Sequence, residues 1–267
     1  MSRPRTARRW ILRVLLALAS LVAVLALVAG IGFVTWAKLG VMGAETEPWE
    51  AVRGDPGILV EEDATTLVLR PGDATASTPE GTGIPAESTL GLVFFPGAKV
   101  DAEAYAARLS HLVTEQDVTV VIVKPLLHLA LLDPRGLDAF TGTSPAVTSW
   151  MVGGHSMGGV RACALAPDAS ALLLFASYCA DDISASDVPV LSLAGSEDEL
   201  STPAKIQGAR HLLPADAQMV EIAGASHASF GDYGPQEGDG TPTIDDGTMD
   251  AEVTGRIAEL VAEAGLG

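Results

Sequence analysis

Met151-Val-Gly-Gly-His-Ser-Met-Gly-Gly159 is the stretch on which the reading of this chain turns. Inside it, Gly154-His155-Ser156-Met157-Gly158 fits the pattern G-x-S-x-G. A nucleophilic serine needs its hydroxyl held on a sharp turn between a buried strand and a helix. There the Oγ stands clear of the main chain, and the helix N-terminus favours developing negative charge. Flanking glycines suit a place where strand and helix backbones crowd together. So short a pattern has to be supported by its surroundings. Upstream, Val147-Thr-Ser-Trp-Met-Val152 is apolar and β-branched, as a strand is. Downstream, Gly159-Val-Arg-Ala-Cys-Ala-Leu-Ala166 reads as a helix that stops before Pro167. Strand, turn and helix follow in the required order, which makes Ser156 a candidate nucleophile.

Outward from this turn the chain alternates strand and helix. Apolar strands are expected at Leu90–Phe95, Val118–Val123, Ala171–Phe175, Val188–Leu193 and Gln218–Ile222. Helices are expected from Asp101, with Ala102, Tyr105, Ala106 and Leu109 on one face, from Pro203 to Leu213, and from Met249 to Ala264. A short leucine-rich helix is expected over Pro125–Leu132. Gly57–Val60 and Thr65–Arg70 read as a hairpin, and residues 71–88 as a surface loop. Strands apolar on both faces belong in a mostly parallel central sheet covered by helices on both sides, which defines an α/β fold.

A serine hydroxyl needs a base, and the base needs an acid that fixes its tautomer. On such a sheet the two follow the serine in the order acid, then histidine. The acid belongs after the strand Val188–Leu193, where Ala194-Gly-Ser-Glu-Asp198-Glu199 stands. Asp198 is the candidate, with Glu197 and Glu199 as alternatives. The base belongs after Gln218–Ile222, where Ala223-Gly-Ala-Ser-His227 places His227. His111 and His211 fall on helices and are expected to face solvent. His128 is expected to pack among leucines, and His155 to point away from the nucleophile. The oxyanion of a tetrahedral intermediate needs backbone N–H donors. Met157 follows the nucleophile, and Ala98, in Pro96-Gly97-Ala98, follows the strand Leu90–Phe95. Lys99 is the alternative second donor.

Residues 1–38 carry six basic groups and no acidic one. Arg3, Arg5, Arg8 and Arg9 form a basic tail over 1–9. An apolar run over 10–37 follows, bounded by Trp10 and Trp36. Val14 to Trp36 as a helix would be about 35 Å long, enough to cross a hydrocarbon core. The arginines predict a cytoplasmic N-terminus and an extracytoplasmic remainder. A signal peptide cleaved near Gly30, Gly32 or Ala37 is the competing reading. Residues 38–57 read as a tether, and 58–267 as the catalytic domain.

Beyond residue 38 there are 10 basic against 34 acidic side chains, a net charge of −24. Nucleic-acid binding, which needs a basic face, is excluded as a function class. Lys99 and Lys124 are the basic residues expected at the carboxyl edge of the sheet, where ligands bind. They are candidates for holding an anionic substrate group. Cys163 and Cys179 are expected to be buried free thiols rather than a bridge, and neither has metal-ligand spacing. The acids of the loop 231–247, Asp232, Glu237, Asp239, Asp245 and Asp246, fit no calcium-loop pattern. No metal or other cofactor is expected.

Several segments resemble the small α/β-hydrolases related to dienelactone hydrolase, the group often catalogued as alpha/beta hydrolase fold-5. They are Phe94-Phe-Pro-Gly-Ala-Lys-Val-Asp101, Val121-Ile-Val-Lys-Pro125, Gly154-His-Ser-Met-Gly-Gly159, Ala176-Ser-Tyr178 and Phe230-Gly-Asp-Tyr-Gly-Pro-Gln236. The resemblance covers roughly residues 58–267 and implies an α/β-hydrolase fold and hydrolase chemistry. Dienelactone hydrolases use a cysteine nucleophile. Ser156 in that place favours plain ester hydrolysis. Only Ser177–Asp187 separates the two strands between which many relatives insert a lid, so a lidless, open site is expected. The expected activity is hydrolysis of a carboxylic ester or thioester of a small molecule by a membrane-anchored enzyme. Acyl transfer to an alcohol would use the same residues, and a non-catalytic binding protein on this scaffold is the alternative from another class.

Overall fold

A computed structural model describes residues 5–72, 88–142 and 144–266. Most of the expected surface loop at 71–88 lies outside the described residues. The chain forms two compact units, residues 1–40 and 41–267. The first is a single helix, α1 (Arg5–Lys38). Its segment Arg9–Lys38, in which the most apolar stretch of 18 residues has a mean hydropathy of 2.9, is long and apolar enough to cross a membrane.

In the second unit, α2 (Thr46–Gly54) precedes the hairpin β1 (Ile58–Glu62) and β2 (Thr66–Pro71). Next come β3 (Leu90–Phe95), α3 (Ala106–Gln116), β4 (Val118–Val123), the short α4 (Asp138–Thr141) and β5 (Ser149–His155). Then follow α5 (Met157–Leu165), β6 (Ala171–Phe175), β7 (Val190–Gly195), α6 (Pro203–Gly208), β8 (Gln218–Ile222) and α7 (Asp246–Ala264).

The strands form one sheet in the order β1-β2-β4-β3-β5-β6-β7-β8. The six strands from β4 to β8 in that order are parallel, and β2 joins β4 antiparallel. Alternate residues of each central strand feed two cores. Leu92, Phe94, Leu173 and Phe175 pack with Leu109 and Leu112 of α3 and Val253 and Ile257 of α7. Val93, Phe95, Leu172 and Leu174 pack with Phe140 of α4 and Ala162 and Leu165 of α5. Burial on both faces is why these strands read as continuous apolar runs. The carboxyl ends of the parallel strands converge on one edge, the edge at which such sheets bind ligands.

Several expectations are corrected. The supposed tether contains α2, whose Val52 is buried in the first core. Pro125–Leu132 is not a helix but two 3-10 turns, because Leu127 and His128 take left-handed conformations, with φ of 57° and 56°. The helix from Pro203 breaks after Gly208, and a separate 3-10 turn covers Arg210–Leu212. α7 begins earlier than expected, because the Asp245 carboxylate accepts the Thr248 N–H at 2.9 Å and caps it.

The cysteines were expected to be free, but Cys163 and Cys179 form a disulfide with a Cα–Cα distance of 5.5 Å. The bridge ties α5 to the segment after β6 across 16 residues of sequence. A closed loop of this length stabilises a fold by about 3 kcal/mol. Reduction is therefore expected to lower Tm by roughly 6–12 °C for a domain of this size. Thermal unfolding with and without a phosphine reductant checks this; an unchanged Tm would show that the bridge carries no stability.

Candidate active site

The turn between β5 and α5 has the geometry that its sequence asks for. Ser156 caps α5 with φ 52° and ψ −121°, a conformation that a non-glycine residue holds only when its surroundings impose it. Its N–H donates to Phe175 O at 2.9 Å, and the Ser177 hydroxyl donates to Ser156 O at 2.6 Å. The glycines are required by close approach. A Cβ on Gly158 would lie 2.0 Å from Phe95 O, and one on Gly154 2.4 Å from the Gly158 carbonyl carbon.

Asp198 and His227 reach the same edge from β7 and β8. His227 Nδ1 lies 2.8 Å from Asp198 Oδ2, and both residues are buried. Asp198 Oδ1 accepts the N–H groups of Leu200 and Ser201 at 2.8 and 2.7 Å. These bonds fix the carboxylate, while Glu197 and Glu199 are exposed. Of the three acids it is Asp198 that bonds to His227. Ser156 Oγ makes no hydrogen bond with His227 here. The His227 ring lies against that of His155, the residue before Ser156, with centroids 4.5 Å apart. Bonds of this kind are often long in unliganded sites and tighten with substrate.

Ala98 and Met157 do not donate their N–H groups to any acceptor among the described residues. The Lys99 N–H, the alternative donor, is committed to His128 O at 2.8 Å. Lys124 is paired with Glu62 and Glu103 at 2.5 and 2.7 Å, so its charge is already neutralised. His128 is half-exposed and pairs with Asp101 at 3.1 Å instead of packing among the leucines. Hence Asp101 caps nothing with its side chain.

Residues 91–250 match the alpha/beta hydrolase family. The chain belongs to that family. Among solved structures, the predicted CIB-like hydrolase from Thermoplasma acidophilum superposes with a TM-score of 0.52 at 10% identity. The match covers 75% of this chain and 99% of that one, and at this identity it is a likeness of fold. No curated protein matches the chain.

Three side chains of this α/β-hydrolase support the site without any signal in the sequence that marks them. Tyr105 Oη accepts the Gly97 N–H at 2.9 Å and lies 2.8 Å from His155 Nδ1. Burial holds the Tyr105 phenol protonated. Burial, reinforced by the neighbouring His227, pushes His155 well below the usual histidine range. The phenol therefore donates to a neutral His155, and the pair pins Gly97 beside Ala98. The third is Asp239, whose Oδ1 and Oδ2 accept the N–H groups of His227 and Ala228 at 3.0 and 2.8 Å. Burial raises its pKa, but these bonds outweigh burial and hold it below the usual carboxylate range. An acid of the 231–247 loop is thus spent on positioning the histidine. Behind it, buried Arg108 pairs with Asp232, Asp246 and Asp250 and fastens the same loop to α3 and α7.

Proposed function

We propose that this α/β-hydrolase cleaves carboxylic esters or thioesters with Ser156 as nucleophile, His227 as base and Asp198 as its partner. The observation that carries this reading is the buried His227–Asp198 bond at the edge where Ser156 is held in a strained turn. Ser156 Oγ attacks the carbonyl carbon while His227 takes its proton. Asp198 holds the ring and stabilises the imidazolium. The Ala98 and Met157 N–H groups receive the oxyanion. Collapse expels the alcohol or thiol, which takes the proton from His227. Water then attacks the acyl-enzyme, giving its proton to His227 and releasing the acid and free Ser156. Kinship with the dienelactone hydrolases belongs to the same proposal, with serine in place of cysteine.

A fluorophosphonate probe tests the reading. Wild type is expected to be labelled and Ser156→Ala not; an unlabelled wild type would point to a binding protein on this scaffold. The same probe reports on the pinning of Gly97. Tyr105→Phe removes only the hydroxyl, and is expected to slow labelling by about tenfold through a looser oxyanion loop. Labelling at the wild-type rate would mean that the Tyr105 bond does not position the donors.

The protein is proposed to be held in the membrane by α1, with the catalytic unit outside the cytoplasm. Support comes from the arginines ahead of the apolar helix and from the disulfide, which forms in oxidising compartments. Retention in membranes through alkaline carbonate washing, with digestion by external protease, is the expected result. Recovery of a soluble chain beginning near residue 31 or 38 would show a cleaved signal instead.

A further inference from the structure

The apolar surface of the catalytic unit is concentrated around its site. Among the described residues from 41 to 267, the exposed large apolar side chains are Leu59, Leu126, Leu131, Leu132 and Tyr178. Four of these five lie at the carboxyl edge of the sheet. Leu126 follows the end of β4, and Leu131 and Leu132 belong to the next turn, which packs against α5. Tyr178 follows the end of β6. In the sheet β4 and β6 stand on either side of β3 and β5, which carry the oxyanion loop and Ser156. Apolar side chains therefore flank the site from both directions. They are well exposed, at 66%, 53% and 42% for the three leucines. A rim of this kind marks an interaction face.

The course of the chain says what covers it. Met42 N–H donates to Lys99 O at 2.8 Å, and Asp101 N–H donates to Met42 O at 3.0 Å. Glu45 N–H donates to Asp232 O at 2.7 Å, in the loop that follows His227. The chain thus joins the catalytic unit at the edge that carries the site, stitched to both of its loops. Only Leu39, Gly40 and Val41 separate Met42 from Lys38, the last residue of the membrane-length helix. The unit is tethered by its catalytic edge. Its strongly negative charge gives an anionic lipid surface nothing to attract, so docking would rest on the tether and on apolar contact.

We infer that this edge is a bilayer-docking face and that the substrate is a membrane-resident acyl ester presented at the lipid surface. The inference rests on the proposed serine-hydrolase reading and on α1 acting as an anchor. Leu126, Leu131 and Leu132 enter the interfacial layer beside the open site. The ester carbonyl then reaches Ser156 without the whole lipid crossing water.

The test uses the full chain reconstituted in zwitterionic phospholipid vesicles. Wild type and the triple variant Leu126→Ser, Leu131→Ser, Leu132→Ser are compared on a long-chain diacylglycerol within the bilayer and on a soluble short-chain acetate ester. The variant is expected to lose about tenfold or more on the bilayer ester and to keep its rate on the soluble one. Equal rates of wild type and variant on both esters would overturn the inference. A second measurement does not depend on turnover. A polarity-sensitive dye is attached to Leu131→Cys and, separately, to Leu59→Cys, and brominated lipid is used as quencher. Quenching at position 131 and not at 59 is expected. Absent or equal quenching at the two positions would overturn docking, and so would a dye signal at 131 that follows protein concentration in lipid-free detergent, which would identify a second copy as the occupant. If wild type hydrolyses neither ester while position 131 is quenched, the ester reading fails and the docking face stands.

Discussion

Ser156→Ala and His227→Ala are each expected to lower turnover roughly a millionfold, and the double variant to lose scarcely more than either. The two side chains act on one proton. Without the hydroxyl no group attacks the carbonyl, and without the imidazole the hydroxyl cannot be deprotonated near neutral pH. What remains is the acceleration supplied by the oxyanion donors and by binding, which is the same in all three variants. Steady-state rates on any hydrolysed ester decide the matter. Losses that multiply in the double variant would show that Ser156 and His227 do not act as a unit, and that the site has been misassigned. Folding is not at issue for Ser156→Ala, since the contacts that fix residue 156 are made by its main chain.

Asp198→Asn is expected to cost about ten-thousandfold in kcat with little change in KM. Asp198 Oδ1 is occupied by two backbone N–H groups, so in the variant the amide oxygen would settle there. The amide NH2 then faces His227 Nδ1 and donates to it, which forces the imidazole proton onto Nε2, the nitrogen that has to accept from Ser156. Glu197→Gln and Glu199→Gln are expected to leave turnover within about twofold of wild type, as exposed positions away from the reacting groups usually do. A crippled Glu197→Gln or Glu199→Gln beside an active Asp198→Asn would move the acid by one residue. The comparison is sharp because the three carboxylates are consecutive, and only Asp198 is buried.

Much of this was legible without a structure. The β-strands from Leu90 to Ile222 appear as expected to within a few residues, because burial on both faces leaves a continuous apolar run that few other arrangements produce. The turn at Ser156 was readable because close backbone approach demands glycine on either side of it. His227 and Asp198 followed from the order in which the strands deliver their ends to one edge. All of these are properties of a few consecutive residues and of chain order.

Other features depend on which distant residues the packing brings together, and no local pattern encodes that. Cys163 and Cys179 pair because α5 and the segment after β6 lie side by side, at a separation that spacing alone does not define. Lys124 meets Glu62 and Glu103 because the hairpin and the 3-10 turn ahead of α3 flank β4, and this removes it as an anion site. The leucines of Pro125–Leu132 have the composition of a buried helix. Left-handed turns at Leu127 and His128 leave three of them on the surface. The amino-acid sequence by itself determined the sheet, the tight turn at Ser156 and the arrival of Asp198 and His227, the proposed partners, at the same edge, since short-range periodicity, steric demand and chain order specify each. Only the tertiary structure decided the disulfide, the Tyr105–His155 contact that holds Gly97, the pairing of Lys124 and the apolar rim, because each needs elements far apart in the chain to be packed against one another.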